Sequence, residues 1–256
     1  MNNKKALIIG GTSGIGLSLA ELFAKKNYEV IIASSNKDNL KRALEKLKKI
    51  NNNCSYIKCN LTIQTEVENL IQNVIVKEEN LECIILSSSK GLFGKIHEIG
   101  DKQFLDYFQT FVVSYIKILK SVFNNNRYKN RDKIRIIYLS SYVAHFNILN
   151  YIAYSFIKST IDNFLDKIRT ESKDGQILTV YPGSVDTDFD KKSDKVGLFR
   201  FKTIKKKTSK SEIAEKIFKS YKNNKNVLHN SIIMSFLFFI KNTFQKLLNN
   251  ILKIFF

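Results

Sequence analysis

Tyr154 and Lys158 stand four residues apart, a spacing that suits acid–base chemistry. On a helix the two lie one turn apart on one face, so a phenol and an ammonium can serve the same reacting atom. Ser140 and Ser141 close the apolar run that starts at Lys133 and offer two hydroxyls. Pro182-Gly183-Ser184-Val185-Asp186-Thr187 closes another such run. Near the N-terminus Gly10, Thr12, Ser13, Gly14, Ile15 and Gly16 join a short apolar stretch, Ala6 to Ile9, to an amphipathic one carrying Leu17, Leu19, Ala20, Leu22 and Phe23. A strand, a glycine turn and a helix in that order aim backbone N–H groups and a positive helix end at a phosphate. The spacing is G-x-x-x-G-x-G rather than G-x-G-x-x-G. Taken singly, each set also has a plain reading: serines cap helices, a Tyr and a Lys four apart form surface pairs, and Pro-Gly makes a turn.

The elements that must position these residues follow from periodicity. Strands are expected at Ala6–Ile9, Tyr28–Ser34, Cys54–Cys59, Glu82–Ser87, Lys133–Ser140 and Gln176–Tyr181, each short and rich in aliphatic or β-branched residues. Helices are expected between them: one from Asp38 to Ile50, one through Val67, Leu70, Ile71 and Val74 with Thr62 as its cap, one from Asp101 to about Asn124, and one from about Asn150 to Ser172. A further helix is expected over Ser211–Tyr221, capped by Ser211. Strands alternating with helices imply an α/β fold, a Rossmann-type doubly wound parallel sheet flanked by helices. The chemically suggestive residues then fall at the carboxyl ends of the strands, where such sheets open a crevice. The expected organisation is one domain over 1–224 and an apolar, basic C-terminal tail over 225–256.

Together and in this order, these residues resemble the short-chain dehydrogenase/reductase family. Gly10, Gly14 and Gly16 match its glycine turn, with Ile9 where a Thr usually stands; Ser141 precedes Tyr154 by thirteen residues; Tyr154 and Lys158 fill its Tyr-x-x-x-Lys signature; and Pro182, Gly183, Val185 and Thr187 match its P-G-x-V-x-T segment. The resemblance spans about residues 5 to 190. It implies a carbonyl/secondary-alcohol oxidoreductase using a nicotinamide cofactor, with Tyr154 as acid/base. Lys158 would favour tyrosinate, lowering a phenol pKa that is ordinarily about 10, and would hold the nicotinamide ribose. Ser141 would donate a hydrogen bond to the substrate oxygen. Along the adenosine side the resemblance places Ser34, Ser35, Asn36, Asn60, Leu61 and Ser88. No carboxylate ends the second strand, where Ser34, Ser35 and Asn36 precede Lys37, and this favours NADP over NAD.

Three positions depart from the family pattern. Leu86-Ser87-Ser88-Ser89 stands where Asn-Asn-Ala-Gly is usual, and Asn60 where an acid commonly contacts adenine. Phe111 falls at the position of the family's catalytic Asn, which holds a water near the lysine. A phenylalanine holds no water. A second expectation therefore stands beside the reductase: a nucleotide-binding sensor or scaffold of the same fold with little or no turnover.

Composition sets the remaining bounds. The chain has 256 residues, a formal net charge of +19, and three cysteines, Cys54, Cys59 and Cys83, without metal-ligand spacing. No metal is expected, and free thiols fit a reducing, cytoplasmic setting. From Lys191 onward sixteen Lys/Arg face three acids. No nucleic-acid-binding signature accompanies them, so nucleic acid is not an expected partner. A homo-oligomer and a small-molecule substrate are. The resemblance implies a substrate lid over about 188 to 210, with Leu198, Phe199 and Phe201 suited to a lipophilic or ring-containing substrate; an ordinary exposed loop and helix is the other reading of this region. The family's closing strand and glycine-rich turn are not evident. The tail instead carries the nine-residue apolar run Ile232–Ile240, followed by Lys241, Phe244, Lys246, Leu247, Leu248, Ile251, Leu252, Lys253 and Phe255-Phe256. It is too short to span a bilayer. Two readings stay open for it: an interfacial helix on anionic lipid, or helices packing on the core or on another subunit.

Overall fold

Short aliphatic runs form the strands, and their burial on both faces is what a parallel sheet with helices on each side demands. The computed structural model describes residues 4–123, 134–146, 148–171, 176–197, 207–240 and 243–244. Strands β1 (Lys5–Ile9), β2 (Glu29–Ser34), β3 (Ser55–Lys58), β4 (Leu81–Leu86), β6 (Arg135–Leu139), β7 (Ile177–Tyr181) and β9 (Val227–His229) make one sheet, every neighbouring pair parallel. Its order is β3-β2-β1-β4-β6-β7-β9. The order reverses beside β1, which is the switch point where α/β sheets bind ligands. A two-strand ribbon, β5 (Leu92–Phe93) with β8 (Asp194–Lys195), lies outside it.

Alternate side chains of each strand feed two cores. Ala6 and Ile8 join a core built with α1 (Gly14–Lys25), α2 (Lys37–Lys48) and α8 (Lys210–Lys222). Leu7 and Ile9 join the other, with α3 (Gln64–Leu70), α4 (Asp101–Phe108), α5 (Ser114–Phe123) and α6 (Ile152–Ile168). A short α7 (Phe189–Lys192) follows the Pro-Gly segment. Cys54, Cys59 and Cys83 are free and buried.

Four expectations are corrected. Thr62 does not cap the third helix: Ile63 holds that position without a side-chain bond, and the Thr62 hydroxyl donates to Asn60 Oδ1 at 2.9 Å. Ser209, not Ser211, caps α8, accepting from the Glu212 N–H at 3.1 Å. The long helix from Asp101 is broken by a π-turn, Gln109–Val113. The closing strand judged absent is present as β9, too short at three residues to show alternation, and it carries the sheet past the boundary drawn at 224. Beyond it residues 232–240 form a helix, α9. Leu198, Phe199 and Phe201, and the tail from Gln245 onward, lie outside the described residues.

Candidate active site

At the carboxyl end of β1 the chain turns through Gly10 at φ +86° and Gly14 at φ +57°, conformations that side chains other than glycine disfavour. A Cβ on Gly10 would stand 2.5 Å from the Ser88 backbone nitrogen, and one on Gly16 would stand 2.2 Å from the Gly10 carbonyl oxygen. Glycine here lets β1, the loop after β4 and α1 meet with only backbone between them. Ser87 reinforces the junction by donating to the Ile9 carbonyl at 2.8 Å. The first turn of α1 has no acidic residue, and Ser13 caps none of it with its side chain. An uncapped N-terminus whose first turn carries no acid is suited to an anion. Lys192 adds a cation there, its Nζ donating to Ser13 Oγ at 3.2 Å.

Helix α6 carries the chemical pair. Tyr154 and Lys158 are buried on its inner face, as their four-residue spacing requires. Next to Tyr154, the Ser155 hydroxyl donates to the Val143 carbonyl at 2.7 Å and ties the turn after β6 to the helix. Ser141 begins that turn. The Tyr154 hydroxyl pairs with the hydroxyls of Ser141 and Ser89. Lys158 Nζ donates to the Leu139 carbonyl at 2.7 Å and lies 5.8 Å from the centre of the Tyr154 ring.

Burial dominates both titrations. It pushes the Tyr154 phenol up to about 12, against the opposing pull of the Ser89 and Ser141 bonds. Burial also lowers the Lys158 ammonium to about 8, with Asp162 acting in the other direction. Desolvation is the largest effect on both groups. Asp162, one turn beyond Lys158, accepts from the Tyr181 hydroxyl at 2.9 Å and pairs with His145 Nε2 at 2.9 Å.

Most of the expected site residues converge on one cleft of about 810 Å³. Gly10, Thr12, Ser13, Gly14, Ile15, Gly16, Ser34 and Ser88 line one part of it, and Ser141, Tyr154, Lys158, Pro182, Gly183, Val185 and Thr187 the other. Thr208 fixes the Pro-Gly segment: its N–H donates to the Ser184 carbonyl and its carbonyl accepts from the Asp186 N–H, both at 2.9 Å. Four expected residues are not among those lining the cleft. Ser35 is exposed; Asn36 caps α2 by accepting from Asn39; Asn60 accepts from Thr62; Leu61 is in the core.

Phe111 lies in the π-turn, its ring 5.1 Å from Tyr107 and 6.5 Å from Tyr115. Those tyrosines donate to the Lys90 and Ser88 carbonyls, both at 2.6 Å. Aromatic packing surrounds the Phe111 ring. Sequence reading missed other lining residues: Lys192, Lys207 and Lys210, passed over as part of a generally basic region, and Phe93, Phe189 and Met234. The rings of Phe93 and Phe189 lie 5.5 and 5.6 Å from that of Tyr154, giving the inner cleft an apolar wall.

The family model for short chain dehydrogenases matches residues 4–196. The chain belongs to the short-chain dehydrogenase family. Among its curated relatives, the dehydrogenase/reductase SDR family protein 7-like of Dictyostelium discoideum is 28% identical over 199 residues, 73% of this chain and 60% of that protein's length. The chain therefore spans less than two thirds of this short-chain dehydrogenase relative. The 3-oxoacyl-acyl-carrier-protein reductase of Buchnera aphidicola is 24% identical over 222 residues, 85% of this chain and 89% of that one. A short-chain dehydrogenase from Sphingobium yanoikuyae, solved in complex with NADPH, superposes with a TM-score of 0.84 at 14% identity, covering 96% of this chain and 95% of that one.

Proposed function

We propose that this short-chain dehydrogenase is an NADP(H)-dependent oxidoreductase that interconverts a carbonyl and a secondary alcohol. The observation that carries the reading is the meeting of Ser141, Tyr154 and Lys158 in the same cleft as the glycine turn. The residues present fit a dinucleotide: Gly10 and Gly16 leave no room for a side chain, α1 offers an uncapped N-terminus, and Lys192 faces it. Gly14, Ile15 and Gly16 would hold the pyrophosphate, Lys158 the nicotinamide ribose, and Pro182, Gly183, Val185 and Thr187 the nicotinamide side. Ser34 at the end of β2, with Ser35 and Asn36 beyond it, brings no carboxylate against a 2′-phosphate, which supports NADP over NAD.

Bound in this cleft, the cofactor supplies or accepts the hydride. Ser141 donates a hydrogen bond to the carbonyl oxygen, where negative charge grows as the hydride arrives. Tyr154 keeps its proton at neutral pH, since burial raises its pKa, and releases it to that oxygen. The buried ammonium of Lys158 compensates the tyrosinate left behind. In the alcohol-oxidising direction the same groups run in reverse.

Tyr154→Phe is expected to lower NADPH-dependent carbonyl reduction by at least about a hundredfold while leaving NADPH affinity intact. Turnover and calorimetric binding measured on one preparation test this, and unchanged turnover would rule out the phenol as acid. A second reading rests on Phe111: a nucleotide-binding protein of this fold without turnover. Tight NADPH binding with no reduction across a panel of aldehydes and ketones would favour it.

A further inference from the structure

Around Tyr154 the cleft changes character from polar to apolar. Phe93 on β5 and Phe189 at the start of α7 stand beside the phenol, and Tyr151, three residues before it, adds a third ring. The Phe93 ring meets those of Tyr151 and Phe189 edge to face, at 4.7 and 6.3 Å. The turn that Ser141 begins leads to Val143 and Ile148, and Met234 comes in from α9. Helix α9 is pinned to that turn: the Ser231 N–H donates to the Tyr142 hydroxyl at 3.2 Å, and the Phe238 ring lies 4.6 Å from His145. Val143, Tyr151, Phe189 and Met234 are only half-buried, and Ile148 is 45% exposed. Apolar surface left open to water inside a concave site is surface that a ligand gains by covering.

The polar groups beside the phenol are few and mostly engaged with one another. Ser89 and Ser141 pair with the Tyr154 hydroxyl, Tyr142 accepts from Ser231, and Ser231 Oγ accepts from the Met234 N–H at 3.4 Å. The charged lining residues are committed elsewhere. Lys192 reaches Ser13 at the N-terminus of α1, Lys207 pairs with Asp190 at 3.6 Å, and Asp188 pairs with Lys191 at 3.7 Å. Lys210 opens α8 just past Thr208, whose backbone is bonded to the Pro-Gly segment. A carboxylate, a phosphate or a polyol brought against the three rings would give up its water without a matching partner. Hydrocarbon there gains the burial at no such cost.

We propose, resting on the reductase reading, that the substrate is an uncharged ketone or aldehyde flanked by hydrocarbon, its oxygen at Ser141 and Tyr154 and its apolar body against Tyr151, Phe189 and Met234. The carbonyl carbon takes the hydride of NADPH and the oxygen takes the Tyr154 proton, giving the alcohol and NADP; a solvent proton restores the phenol. The test is kcat/KM of the full chain for methyl alkyl ketones of increasing length, and for pyruvate and dihydroxyacetone. From methyl propyl ketone to methyl heptyl ketone kcat/KM is expected to rise at least about thirtyfold, each buried methylene being worth up to about fourfold. Pyruvate and dihydroxyacetone are expected to fall at least about a hundredfold below methyl heptyl ketone. Met234→Ser and Phe189→Ser should each cut the gain with chain length on the order of tenfold, through KM rather than kcat. Melting curves check that both variants fold; should either fail to, the wild-type series alone decides. A flat series, a preference for pyruvate or dihydroxyacetone, or folded variants that keep the wild-type gain overturn the proposal and leave the reductase reading standing. If no carbonyl is reduced, the reductase reading fails, and calorimetry of the two ketones with the NADPH-saturated chain decides. Methyl heptyl ketone binding at least about tenfold tighter than methyl propyl ketone supports the apolar chamber; equal or undetectable binding of the two overturns it.

Discussion

Lys158 is a buried cation that donates to the Leu139 carbonyl, and burial brings its ammonium down to about 8. The unfolded chain therefore binds its proton more tightly than the native one between about 8 and 10.5. A native state that carries this cost below pH 8 loses it as pH rises towards 10.5. Lys158→Met should accordingly raise the melting temperature most below pH 8, with the gain fading across that window in calorimetric scans. An anionic cofactor beside the ammonium favours the charged form, so NADPH binding should take up a proton above pH 8 and weaken as pH rises. Titration calorimetry in two buffers of different ionisation enthalpy measures that proton directly. Asp162 props the charge up from one turn away, and Asp162→Asn should move the proton uptake to lower pH. Phe111 is the other residue-scale question. Phe111→Asn places an amide where the family resemblance expects one and should raise turnover, at a cost of roughly 2 kcal/mol for the lost aromatic packing; rate and denaturant midpoint check the two halves separately.

Among the elements, α1 and α6 carry most of the site. Helix α1 approaches β1 so closely that a methyl on Gly16 would overlap the Gly10 carbonyl. Gly16→Ala is therefore expected to cost about 1–3 kcal/mol and to abolish NADPH binding, since the turn must open to admit the methyl; thermal melting and calorimetry read both. Helix α6 sets Tyr154 and Lys158 by its own period and holds the Ser141 turn through Ser155. The elements were legible where they were long and periodic. Caps and short pieces were not. Thr62 and Ser211 have the right side chains for caps, but the backbone turns one residue later at the first and two earlier at the second. The ribbon of β5 and β8 joins two-residue strands about a hundred positions apart, and no local pattern announces it.

On the scale of the whole molecule, the last stretch of chain closes the fold on the site's far side. Strand β9 pairs with β7, Asn230 Nδ2 donates to the Pro182 carbonyl at 2.9 Å, and Phe238 covers the His145–Tyr181–His229 group. Removing residues 231–256 uncovers those rings and should lower stability by about 2 kcal/mol, visible as a drop in the urea midpoint. Leaving Asn230 in place should keep the Pro-Gly segment, and with it NADPH affinity, largely unchanged.

By itself the sequence determined the doubly wound sheet and the glycine turn, and it singled out Ser141, Tyr154 and Lys158, which the fold brings to one cleft. Those features are local: a strand run, a turn that needs φ > 0 at Gly10 and Gly14, two residues one helical turn apart. Only the tertiary structure decided that Phe93 and Phe189 wall the tyrosine and that Lys192 reaches the Ser13 hydroxyl. It also decided that Tyr154 and Lys158 are buried, and that the apolar side of α9 faces out. Each of these depends on which distant segments meet and how much water they exclude, and neither quantity is written in any short stretch of chain.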